Sequence, residues 1–292
     1  MTTKAMKNCN MHPTISKKAL MKKILTAASF LLVATGVALT QQVRLCSAML
    51  QSGEELRYKV KWNFLRLGTI TVRAERVPSS EDTTLFKVSM TVESNPDLMI
   101  IKIREYNESL VSALDMMSKR YLGVFNSPND GFETRYLYQE NERQALYSKV
   151  DLESGKLLEA DTLKNVPRYL EGPSMFFYAR WMSRSKQIIR LPKVADGKLA
   201  HIEFDFTLGR EYIEIDAIDE PVRTRKYKGF LSGGGGTSAG LSGDFMGWVS
   251  DDDDAVPIRA EMKVLLGSIH VELEKWSRPG WTLPIYVEIV KK

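Results

Sequence analysis

Cysteine is nearly missing from this chain. There are two in 292 residues, Cys9 and Cys46, and both stand ahead of position 48. Beyond that point no disulfide can form and no thiolate can hold a metal. Histidine is as scarce, three in all, with His201 and His270 the two after residue 48. A zinc site built on imidazole therefore lacks ligands. Also missing is any apolar stretch of eighteen residues, the length a membrane-crossing helix requires. Charge of one sign is missing too, once the first 48 residues are set aside. The whole chain carries 41 Lys and Arg against 36 Asp and Glu. Seven of the basic side chains and none of the acidic ones lie in those 48 residues, which leaves 34 against 36. A body so close to neutral has no sequence-wide field to gather phosphates, so no nucleic-acid partner is expected. A hydrophobic share of 43% mixed with 26% charge excludes a disordered chain, a collagen-like fibre and a multi-span membrane protein.

What is present begins with an address. Lys22 and Lys23 precede the apolar run Ile24–Leu39, and a polar segment then ends in Cys46-Ser47-Ala48. Basic, apolar and small residues in that order predict a secretory signal peptide, cleaved after Ala48. As a helix the sixteen-residue run would reach about 24 Å, short of the roughly 30 Å of a bilayer core. Met21 opens a compact signal of its own, which makes residues 1–20 an upstream extension. Gly36-Val37-Ala38 is a poorer cleavage site because it cuts inside the apolar run. Arg44 and Leu45, ahead of Cys46, take the places where lipid attachment needs small residues. The expected product is one domain, residues 49–292, released into the periplasm or secreted, with no membrane span.

That body is written in period two. Leu56, Tyr58, Val60, Trp62 and Phe64 alternate with polar residues, and Ile70, Val72 and Ala74 do so after a Leu67-Gly68 turn. Phe86, Val88, Met90 and Val92 repeat the pattern. Successive strand side chains point to opposite faces, so these are half-buried strands with one apolar face, and their short connections imply antiparallel pairing. Further strands are predicted over 99–113, 120–125, 132–139, 143–150, 199–208, 212–217, 224–230, 245–250, 258–266 and 268–275. The stretch 99–113 also admits a helical reading. Only Gly172–Arg184 breaks the period clearly: Met175, Tyr178 and Met182 fall at helical spacing, and Pro173 suits a first turn. The fold class is therefore mainly β, a single antiparallel curved sheet or barrel-like domain, with one helix packed against its concave face.

Chemistry-bearing motifs are few. His201 and His270 each alternate with inward apolar residues, which turns them toward solvent. Gly236-Thr237-Ser238-Ala239-Gly240 has the spacing of a nucleophile elbow but sits in a glycine tract leading into a strand, not on a strand-to-helix turn. Asp251-Asp252-Asp253-Asp254 lacks the alternating ligands and central glycine of a calcium loop and reads as a solvated turn, with a weak calcium site as the alternative. No cofactor is implied. The large inner-face side chains Trp62, Phe64, Met90, Phe176, Phe177 and Trp181 belong either to an ordinary filled core or to the wall of a cavity for a lipid or other apolar ligand.

Several segments also occur in a familiar order. They are Gly53-Glu54-Glu55-Leu56-Arg57-Tyr58, Trp62 and Gly68, the helical PSMFFYARW stretch, Arg210-Glu211, Trp248-Val249-Ser250-Asp251-Asp252, Val256-Pro257-Ile258 and Leu266-Gly267-Ser268. This order resembles the bacterial exported proteins grouped as DUF3108, a domain of unknown function, over roughly residues 53–276. Trp248, Ser250, Asp251 and Asp252 carry its most specific part, and the glycine tract with the extra Asp253 and Asp254 departs from it. The resemblance implies an exported β-rich domain of Gram-negative envelopes and no catalytic residues. The leading expectation is non-enzymatic binding of an apolar or amphiphilic ligand, or of an envelope protein. The alternatives are a hydrolase or lyase using carboxylates such as Glu211 with Asp251 or Asp252, and a structural adaptor that binds protein through an edge strand.

Overall fold

The computed structural model describes residues 49–78, 84–98, 102–232, 243–264 and 267–285. The predicted leader, both cysteines and Ser238 with its glycine tract lie outside them. Eight strands follow one another as an antiparallel meander: β1 (Glu54–Trp62), β2 (Leu65–Arg76), β3 (Leu85–Ser94), β4 (Arg104–Ser112), β5 (Ser118–Ser127), β6 (Asp130–Gln139), β7 (Gln144–Asp151) and β8 (Leu157–Leu163). After the helix α1 (Gly172–Met182) come β9 (Ile188–Ala195), β10 (Lys198–Asp205), β11 (Arg210–Ile215), β12 (Ile218–Leu231), β13 (Gly243–Ser250), β14 (Pro257–Val264) and β15 (Gly267–Ser277). β1 pairs with β15, so the first and last strands lie side by side within the sheet. The two free edges are β8 and β9, elements from the middle of the chain.

This topology leaves a curved, barrel-like sheet whose strands do not close. The connection between its own two edges spans the seam. Leu170 forms a parallel bridge to Lys193 of β9, and on the other side the Ser118 amide donates to the Tyr169 carbonyl at 3.3 Å. Having crossed the seam, the chain turns inward as α1. Pro173 occupies the first turn, and the Glu171 amide donates to Ser174 Oγ at 2.9 Å, which satisfies a donor the helix itself cannot. The helix ends at Met182, two residues short of the sequence expectation.

Inner-face glycines make room for rings on neighbouring strands. Gly229 of β12 faces Phe245 of β13, and Gly247 of β13 faces Tyr227 of β12. At either glycine a Cβ would run into the partner's ring. The aromatic covers the gap its glycine leaves, a device that lets a sheet coil tightly.

Two strands escaped the sequence pattern. Leu157–Leu163 and Ile188–Ala195 are the sheet edges; the first is exposed along most of its length and the second buries the adjacent Lys193 and Val194, so neither shows a clean alternation. β9 also contains Pro192, which an edge strand tolerates because it needs no donor on its free side. Another correction concerns Phe64. β1 stops at Trp62, and Phe64 lies in the following turn at 97% exposure, not on the inner face. The stretch 104–112 is strand, which settles its helix-or-strand ambiguity. β12 runs six residues further toward its N-terminus than expected, because it leaves the barrel to form a hairpin with β11.

Candidate functional site

The interior changes character along the strands. Leu56, Val72, Val88, Val111, Ile258 and Leu273 are fully buried. Further along the same strands Val60, Ile70, Val92, Ile103, Met262 and Ile269 are only half-buried. With Met90 and Val271 they line an apolar cleft of about 210 Å³. The sheet is thus filled at one end and hollow at the other.

Met90 and Glu105 border that cleft and also a second cavity of about 80 Å³. The second cavity is polar, with Asn107, Tyr121, Glu171 and Lys193 in its walls. Glu105, Asn107 and Ser109 occupy inward positions of β4 between Ile103 and Val111, and all three are buried. Glu105 Oε1 accepts from Asn107 Nδ2 at 2.9 Å, and the Tyr121 hydroxyl donates to Asn107 Oδ1. Glu171, at the start of α1, is 3% exposed. Its Oε2 accepts from Ser109 Oγ at 2.9 Å, while Oε1 has no partner. Burial pushes the Glu171 carboxyl up to about 7, against hydrogen bonds from Ser118, Ser109 and Ser174 that favour the anion. Burial likewise raises the Tyr121 phenol and lowers Lys193. The adjoining cavities offer an apolar wall and, beyond Met90 and Glu105, a small end that holds two buried carboxyls. Near neutral pH one of these carboxyls can give or take a proton.

Sequence reasoning missed this polar end. Its signal was three polar residues in a row, Glu105, Asn107 and Ser109, on the face where alternation demands apolar ones. Of the inner-face residues expected to meet a ligand, Met90 borders both cavities. Trp62 and Trp181 are half-buried, and Phe176 packs edge-on against Tyr58 at 6.1 Å between ring centres. Phe177 has no exposed surface and belongs to the core. Phe64 is removed from the set by its turn position.

The family-like segments meet elsewhere, at the filled end. Arg180 of α1 and Arg278 both donate to Glu54, at 3.1 and 2.9 Å, and all three side chains are sealed from solvent. Arg278 also grips Asp254 Oδ1 through two donors, at 2.8 and 2.6 Å. Ions taken out of water need this degree of pairing. Three of the four aspartates are accordingly drawn into the protein, while Asp253 stays largely exposed. Asp251, 8% exposed, receives Arg210, Arg223 and Arg225. Asp252 Oδ1 accepts from Ser250 Oγ at 2.7 Å and from the amides of Asp254 and Ala255, and Oδ2 accepts from Trp281 Nε1 at 2.9 Å. Asp253 pairs with Arg184. Trp248, buried at 6% exposure, packs between Lys226 and Arg259, and its Nε1 donates to Glu211 at 3.2 Å.

These groups tie α1, the β11–β12 hairpin and the segment after β15 to the sheet. Glu211 is held by Trp248 and Lys226, and hydrogen bonds from both outweigh partial burial to keep its carboxyl below the usual range. Asp251 and Asp252 are committed to their own partners, so the acid–base pairing of Glu211 with either is not assembled. Both histidines lie beside arginines on the outer face: His201 Nδ1 is 3.0 Å from Arg190, and His270 Nδ1 is 3.0 Å from Arg259. Among the described residues no group of three or more His, Cys, Asp or Glu is placed to hold a metal, and no helix is long and apolar enough to cross a membrane.

Comparison with solved structures finds a β-barrel-like protein of Brucella abortus, a domain of unknown function of the DUF1849 type. It shares 9% identity at a TM-score of 0.51, over 82% of this chain and 99% of that one. At that identity the likeness concerns the fold alone. A Bacteroides fragilis protein with a YmcC-like fold, proposed to be exported, aligns at 10% identity over 78% of this chain and 97% of its own, with a TM-score of 0.28. None of the curated proteins matches. The family model described as protein of unknown function (DUF3108) matches residues 57–274, about three-quarters of the sequence. With a family model matching that much of it, this mainly β, barrel-like chain belongs to the DUF3108 family.

Proposed function

We propose that this protein binds an amphiphilic molecule through the hollow end of its sheet, without chemical conversion, after export to the periplasm or cell surface and loss of residues 1–48. One observation carries the reading. An apolar cleft of about 210 Å³ adjoins, across Met90 and Glu105, a cavity of about 80 Å³ with polar groups in its walls, an arrangement that suits a ligand with a hydrocarbon portion and a polar head. Pockets that hold ligands pair a mostly apolar wall with a few convergent polar groups, and this one has that form. Two buried carboxyls at the head end favour a hydroxyl or amine donor over an anion. The leader's basic, apolar and small-residue order supports export.

The test is native mass spectrometry of protein taken from its own envelope, followed by titration with the apolar fluorophore N-phenyl-1-naphthylamine. A co-purifying lipid and saturable binding are expected. Ile70→Trp, which fills the cleft, should abolish binding, and Phe64→Ala should leave it unchanged. Equal binding by both variants would remove the hollow end from consideration. A second reading draws on β8, where Leu157 and Leu158 are 55% and 47% exposed on a free sheet edge. Such an edge can accept a partner's strand. A stoichiometric envelope protein in the same spectra would favour it.

A further inference from the structure

A second cleft, of about 490 Å³, opens on the other side of the molecule's buried charges, between the end of α1, the turn joining β10 to β11, and β12. Its wall contains Ser183, Lys186, Arg210 and Arg225, together with Phe206, Thr207 and Gly209. The charges around it do not balance. Arg184, Lys186, Arg210, Arg223 and Arg225 gather about two carboxylates: Asp251 takes three of the arginines and Asp253 takes Arg184. Asp205 at the rim is occupied by the amide and hydroxyl of Thr207. The C-terminal end of α1 adds only about half a negative charge, and the amides of Ser183 and Ser185 already satisfy two of its carbonyls. A net positive excess therefore remains. Its effect is visible on Arg225, whose guanidinium is pushed down first by burial and then, against the pull of Asp251, by the charges of Arg184 and Arg210.

Donor capacity is left over as well. Ser183 is 6% exposed, and neither its hydroxyl nor that of Ser185 has a partner. Arg225 Nε is also unpaired, and Lys186, on the rim, makes no ion pair with any described residue. Unpaired buried donors cost free energy unless something accepts from them. An oxyanion would meet this need, since guanidinium and ammonium groups with a hydroxyl between them make short, charge-assisted bonds to it.

We infer that this cleft is a binding site for a phosphate-type oxyanion, held by Lys186, Arg210 and Arg225 with Ser183. The same chemistry is offered by a free phosphate ester and by the headgroup of an anionic phospholipid. The site is separate from the hollow end and does not depend on the function proposed for it.

The experiment uses the purified full-length chain in low salt. Inorganic phosphate is titrated by calorimetry, and flotation is measured with vesicles of phosphatidylglycerol and of phosphatidylcholine. Lys186 and Arg210 both lie on the surface, and Arg223 and Arg225 still hold Asp251, so the double variant Lys186→Gln, Arg210→Gln should remain folded and keep its N-phenyl-1-naphthylamine binding. It should lose affinity for phosphate by about tenfold or more, the scale of one or two charge-assisted contacts. Phosphate binding without vesicle flotation would assign a soluble ester. Flotation with phosphatidylglycerol alone, lost in the double variant, would assign a headgroup. Failure of phosphate and phosphatidylglycerol alike to bind, or unchanged affinity in a folded double variant, would overturn the inference.

Discussion

Leu273 and Ile269 lie four residues apart on β15, yet Leu273 has no exposed surface and Ile269 borders an apolar cleft. The same contrast separates Leu56 from Val60 on β1 and Val88 from Val92 on β3. At the Leu273 end the interior is packed with α1, with rings, and with a sealed cluster of Glu54, Arg180 and Arg278. The other end has aliphatic side chains around empty space and, beyond Met90, the carboxyls of Glu105 and Glu171. Buried ion pairs contribute little net stability, but they are intolerant of a missing partner and so hold one geometry. Loosely covered aliphatic residues hold nothing rigidly and leave room. One end specifies the fold, and the other leaves space within it.

The largest effect that would break this contrast is expected at Arg180. Arg180→Met leaves Glu54 in a dry site with one guanidinium fewer, and urea unfolding should show a loss of about 3–5 kcal/mol. A loss under about 1 kcal/mol would mean the cluster is not what organises the filled end. The contrast is sharpened by equal truncations on one strand. Leu273→Ala should cost about 2–5 kcal/mol, whereas Ile269→Ala, beside existing space, should cost about 1 kcal/mol. Equal costs would show both ends to be packed alike.

The third effect is confined to pH. The folded Glu171 carboxyl keeps its proton to about pH 7, while the unfolded one releases it near 4.5. Its contribution is therefore complete below about pH 4.5 and is lost as pH rises through about 7, an amount on the order of 3 kcal/mol. Glu171→Gln should flatten the stability profile across that window. A wild-type profile already flat there would mean that the polar end is wetter than its burial indicates.

The strand pattern was legible wherever a strand has one buried face. Leu56 to Trp62, Phe86 to Val92 and Ile258 to Met262 alternate because the sheet hides every second side chain. β8 and β9 could not be read that way, since β8 is exposed on both faces and β9 buries the adjacent Lys193 and Val194. Phe64 misled because alternation continues one step past the last paired residue, into a turn. The aspartate run was misjudged for another reason. Its partners Arg184, Arg210, Arg223, Arg225 and Arg278 are scattered over almost a hundred positions, and nothing local reveals that they converge. Glu105 was visible in principle, as a charge on an inward position, but only once that segment is known to be a strand.

By itself, then, the order of residues determined an antiparallel, mainly β body with one helix, because period-two and period-3.6 burial are local properties of the backbone. The three-dimensional arrangement alone decided where the interior is filled and where it is hollow. Whether an inward side chain meets a neighbour or empty space depends on strand length, curvature and the path of α1 across the seam, and these bring together residues more than two hundred positions apart.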